Sequence, residues 1–125
     1  MKHTIKIVFF LILFAVFYWG CKDEPVIPAS PQIGFNAQIL PIIIGNCTAS
    51  GCHGKENKEA FELLSYNDVI KRGKVKASNA KGSELYQVIT SNSVNVKMPP
   101  PPASDLTEQQ IELIYLWIMQ GANNN

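Results

Sequence analysis

Cys47-Thr48-Ala49-Ser50-Gly51-Cys52-His53-Gly54 is the stretch from which the rest of the chain is read. Two cysteines lead to a histidine, and Cys-His is the ending of the covalent haem attachment signal. Each thiol can form a thioether with one porphyrin vinyl group, and the imidazole of the next residue then lies under the iron as proximal ligand. The order is a chemical requirement, because the histidine has to reach the iron from the face on which the cysteines hold the ring. Four residues separate the cysteines here, where the usual signal has two. Thr48-Ala49-Ser50-Gly51 is small and flexible, so a wider loop can bulge while both sulfurs still reach the ring. Two other readings stand beside this one. Cys47 and Cys52 can close a short loop as a disulfide. A structural zinc site takes four ligands, and only Cys47, Cys52 and His53 stand close together.

The amino terminus sets the compartment. Lys2, His3 and Lys6 form a basic start, and Ile7 to Trp19 is an unbroken apolar run of thirteen residues. That is the length of a signal-peptide core and too short for a membrane span. Gly20-Cys21 follows, and a small residue before Cys after an apolar core resembles the lipobox of bacterial lipoproteins. Residues 1–20 therefore read as a lipoprotein-type signal peptide, with Cys21 as the lipidated first mature residue. Tyr18 and Trp19 depart from the small and aliphatic residues usual before the cut, and an uncleaved anchor is the competing reading. Either way the remainder lies outside the cytoplasm, at the periplasmic side of a membrane or on the outer-membrane surface. Lipidation of Cys21 leaves Cys47 and Cys52 as a pair, which suits an exported protein whether they hold haem or form a disulfide.

From Cys21 on, nine Lys and Arg (eleven less Lys2 and Lys6) face ten Asp and Glu, a formal charge of about −1. That balance carries no nucleic-acid footprint. Residues 21–34 hold Pro25, Pro28 and Pro31, whose spacing favours an extended tether reaching on the order of 40 Å at ~3.1 Å per residue. Lys22-Asp23-Glu24 resembles the short charged export tags of some surface lipoproteins, and a solvated linker explains it as well. The length beyond, 35–122, predicts one small domain.

Within it, Phe35 to Asn46 predicts a short helix with Asn36 as N-cap and a kink or restart at Pro41, although Ile42-Ile43-Ile44 also suits a strand. Phe61, Leu63 and Leu64 form an apolar patch. Ser65 to Asp68 opens a short helix that Gly73 stops. Lys71, Arg72, Lys74, Lys76 and Lys81 make a basic run, either a solvated face or a docking rim for an acidic redox partner. Ser83 starts a helix with apolar spacing at Leu85, Val88 and Ile89. Thr107 and Gln110 form a capping box for a last helix over about 108–120, with Ile111, Ile114 and Ile118 in one stripe widened by Leu113, Leu116 and Trp117. Gly121 stops it, and Ala122 with three asparagines trails off.

An inventory narrows the second axial ligand. The chain has two histidines, and His3 lies in the signal segment, so a bis-histidine haem within one mature chain is excluded. Met98 and Met119 are the candidate sulfurs. Met119 shares its helix face with Glu112 and Tyr115, the less buried side. Met98 lies 45 residues after His53 and is followed by Pro99-Pro100-Pro101-Pro102, which stiffen its loop. Met98 is the better candidate, against the reading of a methionine packed in the core.

With these residues in order, the chain resembles the planctomycete-type cytochrome c domains of the wider cytochrome c-like fold. The resemblance covers residues 35–122. It rests on Ile-Leu-Pro-Ile at 39–42, Cys-x4-Cys-His-Gly, Gly-Ser-x-Leu-Tyr at 82–86, Met-Pro-Pro at 98–100, Leu-Thr-x-x-x-Ile at 106–111 and Trp-Ile-x-x-Gly-Ala at 117–122. It implies a small all-α domain in which the helix before the motif crosses the last helix and one haem c lies between them. By carry-over Cys47 and Cys52 are the attachment sites, His53 the proximal ligand and Met98 the distal one. With both axial positions filled, such a site favours single-electron transfer to redox partner proteins over substrate chemistry. No second titratable pair or nucleophile near the motif argues for an enzyme. The rival is a haem-free surface lipoprotein that binds a partner and is stapled by a Cys47–Cys52 disulfide.

Overall fold

A computed structural model describes residues 26–29, 31–56 and 60–125. The expected signal segment and Cys21 lie outside these residues. Among the described residues the regular structure is entirely helical, as expected, and no helix is long and apolar enough to cross a membrane. A π-helical turn, Phe35–Ile39, runs directly into α1, Leu40–Cys47; α2 is Tyr66–Arg72, α3 Glu84–Ile89 and α4 Glu108–Met119.

The change of helix type at Leu40 is the restart expected at Pro41. Proline sits in the first turn of α1 directly after the π-helical turn, and because it has no N–H to give the carbonyls of that turn, the helix changes type there. The isoleucine run is helical, because the buried positions Phe35, Ile39, Ile42 and Ile43 recur at helical spacing while Ile44 faces out. Asn36 is not the cap. The turn begins one residue earlier, after extended Gly34. The orphan amides of a first turn need outside partners, and Asn125 supplies them. Its carbonyl accepts from Asn36 N at 3.0 Å, and its side-chain Oδ1 accepts from Phe35 N at 3.0 Å. The asparagines expected to trail off therefore cap the leading helix.

Phe35 is fully buried at the centre of the core. Its ring meets Tyr66 edge-on at 5.1 Å and Trp117 at 5.4 Å. The polar tips of both partners are satisfied by the segment after α4, Tyr66 Oη donating to Ala122 O at 2.8 Å and Trp117 Nε1 to Asn123 O at 2.9 Å. Buried aromatics with such polar handles fix orientation as well as supplying area. The first turn thus packs on α4. Along α4, Ile114, Trp117 and Ile118 are buried, and the Thr107–Gln110 capping box is present in both directions.

The tether end packs on this core. Ile33 is buried, Gln120 Oε1 accepts from Ile33 N at 2.8 Å, and Gln120 Nε2 donates to Pro28 O at 2.7 Å. The short helix expected to open at Ser65 is α2, and Ser65 caps it, accepting from Asp68 N at 3.2 Å. Ser83 stands at the start of α3 but does not cap it with its side chain. Its fully buried hydroxyl accepts from Lys76 N at 2.8 Å and donates to Asn79 O at 2.8 Å, pinning the preceding loop to the helix.

Candidate functional site

Cys47 is the last residue of α1 and is buried. The chain then folds back on the helix end. Thr48 Oγ1 donates to Ile44 O at 2.8 Å, Cys52 N to Ala49 O at 2.8 Å, and His53 N to Cys47 O at 2.9 Å. The four-residue spacer is thereby a closed loop, and His53 hangs from the same helix terminus as Cys47. Gly54 is required by this return. A Cβ there would stand 2.6 Å from the Thr48 carbonyl oxygen, so only glycine lets the two strands of the loop lie this close.

The imidazole of His53 is held by one neighbour. Its Nδ1 is 2.9 Å from Phe61 O. A carbonyl only accepts, so Nδ1 is the donor in this bond, which leaves Nε2 as the ring nitrogen turned to other partners, the arrangement a metal-ligating histidine uses. The Phe61 ring stacks on the imidazole, centroids 4.4 Å apart and planes 30° from parallel. Leu63 N donates to His53 O at 2.9 Å, and the Leu63 side chain is buried.

Met98 comes from a distant stretch. Its amide donates to Val88 O, in α3, at 3.0 Å. Lys97 and Asp105 bridge the ends of its proline loop at 2.6 Å. Cys47, Cys52, His53 and Met98 line one cavity of about 320 Å³ together with Leu63, Leu85, Val88, Ile89, Pro99 and Pro100. That volume lies at the small end of ligand sites, which run from roughly 300 to 1,000 Å³.

Both cysteines are free thiols. Burial, and secondarily the neighbouring Cys52, pushes the Cys47 thiol from 9.0 up to about 11, so it stays neutral at ordinary pH. Among the described residues no three His, Cys, Asp or Glu side chains are grouped to hold a bare ion. A porphyrin brings its own ring nitrogens and asks the chain only for axial ligands.

Four of the residues expected at the site thus share one cavity, and Met119 is not among its lining residues; it is half-buried against the core. Of the basic run, Lys74 pairs with Glu84 at 2.6 Å with both side chains exposed, a pair worth about 0–1 kcal/mol. Glu84 itself stands on the cavity rim. The sequence reading missed Phe61 as a partner of His53. Nothing in its local spacing separates it from Leu63 and Leu64. No family model, curated protein or solved structure matches the chain.

Proposed function

We propose that this chain is a membrane-anchored c-type cytochrome carrying single electrons through one covalently attached haem c. The observation that carries the reading is the convergence of two thiols, an imidazole whose Nδ1 is bonded to a backbone carbonyl and a thioether on one apolar cavity. This donor set fits a haem. Sγ of Cys47 and Cys52 would hold the ring edge, and Nε2 of His53 and Sδ of Met98 would be the axial ligands, as the resemblance to planctomycete-type cytochrome c domains implies. When bound, the haem supplies a one-electron couple between ferric and ferrous iron.

The chain's own residues do the rest. Phe61 O orients His53. Leu63, Leu85, Val88 and Ile89 exclude water from the cavity, and a low local dielectric disfavours extra charge on the iron. Pro99 and Pro100 brace Met98. Were His53 and Met98 both to bind the iron, they would leave no position for a substrate, and such a site favours electron transfer between redox partner proteins over turnover. Cys21 would carry the lipid, with the tether of 21–34 holding the domain at the periplasmic side or on the outer-membrane surface.

The test is export with the haem-attachment machinery present. The wild-type chain is expected to show a Soret band that Cys47→Ser/Cys52→Ser lacks, with loss of cooperative unfolding in the variant. A variant that unfolds cooperatively at the wild-type temperature would show that haem does not organise the domain.

A further inference from the structure

Resting on that reading, we propose that Phe61 is the positioning residue that fixes the imidazole plane of His53. A histidine bound through Nε2 still rotates about its Cβ–Cγ bond and about the bond to the metal. Phe61 blocks both motions. Its carbonyl accepts a hydrogen bond from Nδ1 at 2.9 Å. Its ring lies against the imidazole face at 4.4 Å and 30°. The two restraints act in different directions, and one residue supplies both.

The ring is not placed for the core. Phe61 is 41% exposed and does not belong to the buried cluster. A phenyl left so open gains only part of the transfer energy of a buried one, while its contact with His53 adds a stacking interaction. The strap that carries it is anchored nearby, since Leu63 is buried and its amide is bonded to the His53 carbonyl at 2.9 Å. Phe61 also lines the cavity that His53 lines.

The plane of an axial imidazole orients the half-filled iron orbital of low-spin ferric haem, so it is read directly by electron paramagnetic resonance and by the paramagnetic shifts of the haem methyl protons. Phe61→Ala in the haem-loaded full chain is expected to keep one haem per chain. Its low-spin signal should broaden, its largest g value should move, and the order or spread of the methyl shifts should change. Phe61→Leu, which keeps bulk and the backbone carbonyl but loses the π face, should change them in the same direction should Phe61→Ala load haem poorly. Phe61→Tyr should restore the wild-type pattern. Ile118→Val, buried in α4 away from the cavity, should lower stability and leave the pattern alone. Haem-loaded Phe61→Ala and Phe61→Leu with the wild-type pattern would overturn the assignment, as would an equal change in Ile118→Val. A wild-type chain matured without haem would overturn the cytochrome reading itself and this assignment with it.

Discussion

Two glycines that flank the motif, Gly45 two residues before Cys47 and Gly54 directly after His53, should respond to alanine with opposite signs. At Gly54 the new Cβ would sit 2.6 Å from the carbonyl oxygen of Thr48 and 3.5 Å from its carbon. Ordinary contact starts at 3.4 Å, so the gap has to open by about 0.8 Å. The obstacle is backbone, and the backbone is netted by the bonds His53 N to Cys47 O and Cys52 N to Ala49 O. Overpacking of this kind costs about 1–3 kcal/mol, which for a domain of this size lowers Tm by on the order of 5–15 °C. The shift also moves His53 against Cys47, so haem loading should fall. At Gly45, inside α1, a Cβ meets nothing within 4 Å. Alanine there gains roughly 0.5–1 kcal/mol of helix propensity, and Tm should rise by a few degrees. Calorimetry of the two exported variants beside wild type decides the matter. Gly54→Ala as stable as wild type, or Gly45→Ala as damaging as Gly54→Ala, would refute the account of how the loop returns to the helix end.

Met98→Ala should remove the sulfur-to-iron charge-transfer band of the oxidised protein, let the reduced protein bind carbon monoxide and lower its potential; Met119→Ala should do none of these, and the reverse pattern would mean that the wrong sulfur has been assigned. Cys21→Ser should abolish incorporation of a fatty-acid probe that labels the wild type, and equal labelling would remove Cys21 as the anchor. Gln120→Ala loses its bonds to Ile33 N and Pro28 O, a cost of about 1–2 kcal/mol that hydrogen exchange should read as roughly tenfold faster exchange at the Ile33 amide; unchanged exchange would show that burial of Ile33 alone holds the segment.

How much of this was legible in the chain depends on the range of the interaction. The Thr107 cap, the helix opening at Ser65, the spacing of Leu85, Val88 and Ile89, and the stop at Gly121 are encoded within a few residues, and each lies where the pattern put it. The motif with Met98 was legible as composition, since the inventory of sulfurs and histidines is short. What was not legible is long-range. Asn125 caps a helix that starts 90 residues earlier in the chain, and no local pattern announces that. Ser83 carries the signature of a cap, but burial turned its hydroxyl to the loop of Lys76 and Asn79. Phe61 resembled its apolar neighbours, and only folding sets its ring on His53. Ile33 looked like tether, because its partner Gln120 lies 87 residues away.

The measurement that bears most directly on the central claim is the intact mass of the mature chain, purified from the membrane under denaturing conditions after export in a host that attaches haem. Covalent haem survives denaturation, whereas a ligand held only by His53 and Met98 does not. The account predicts a mass increased by one haem over that of the processed, lipidated polypeptide, with neither Cys47 nor Cys52 open to alkylation. A chain two hydrogens lighter than the reduced polypeptide, with Cys47 joined to Cys52 and no haem added, would contradict it.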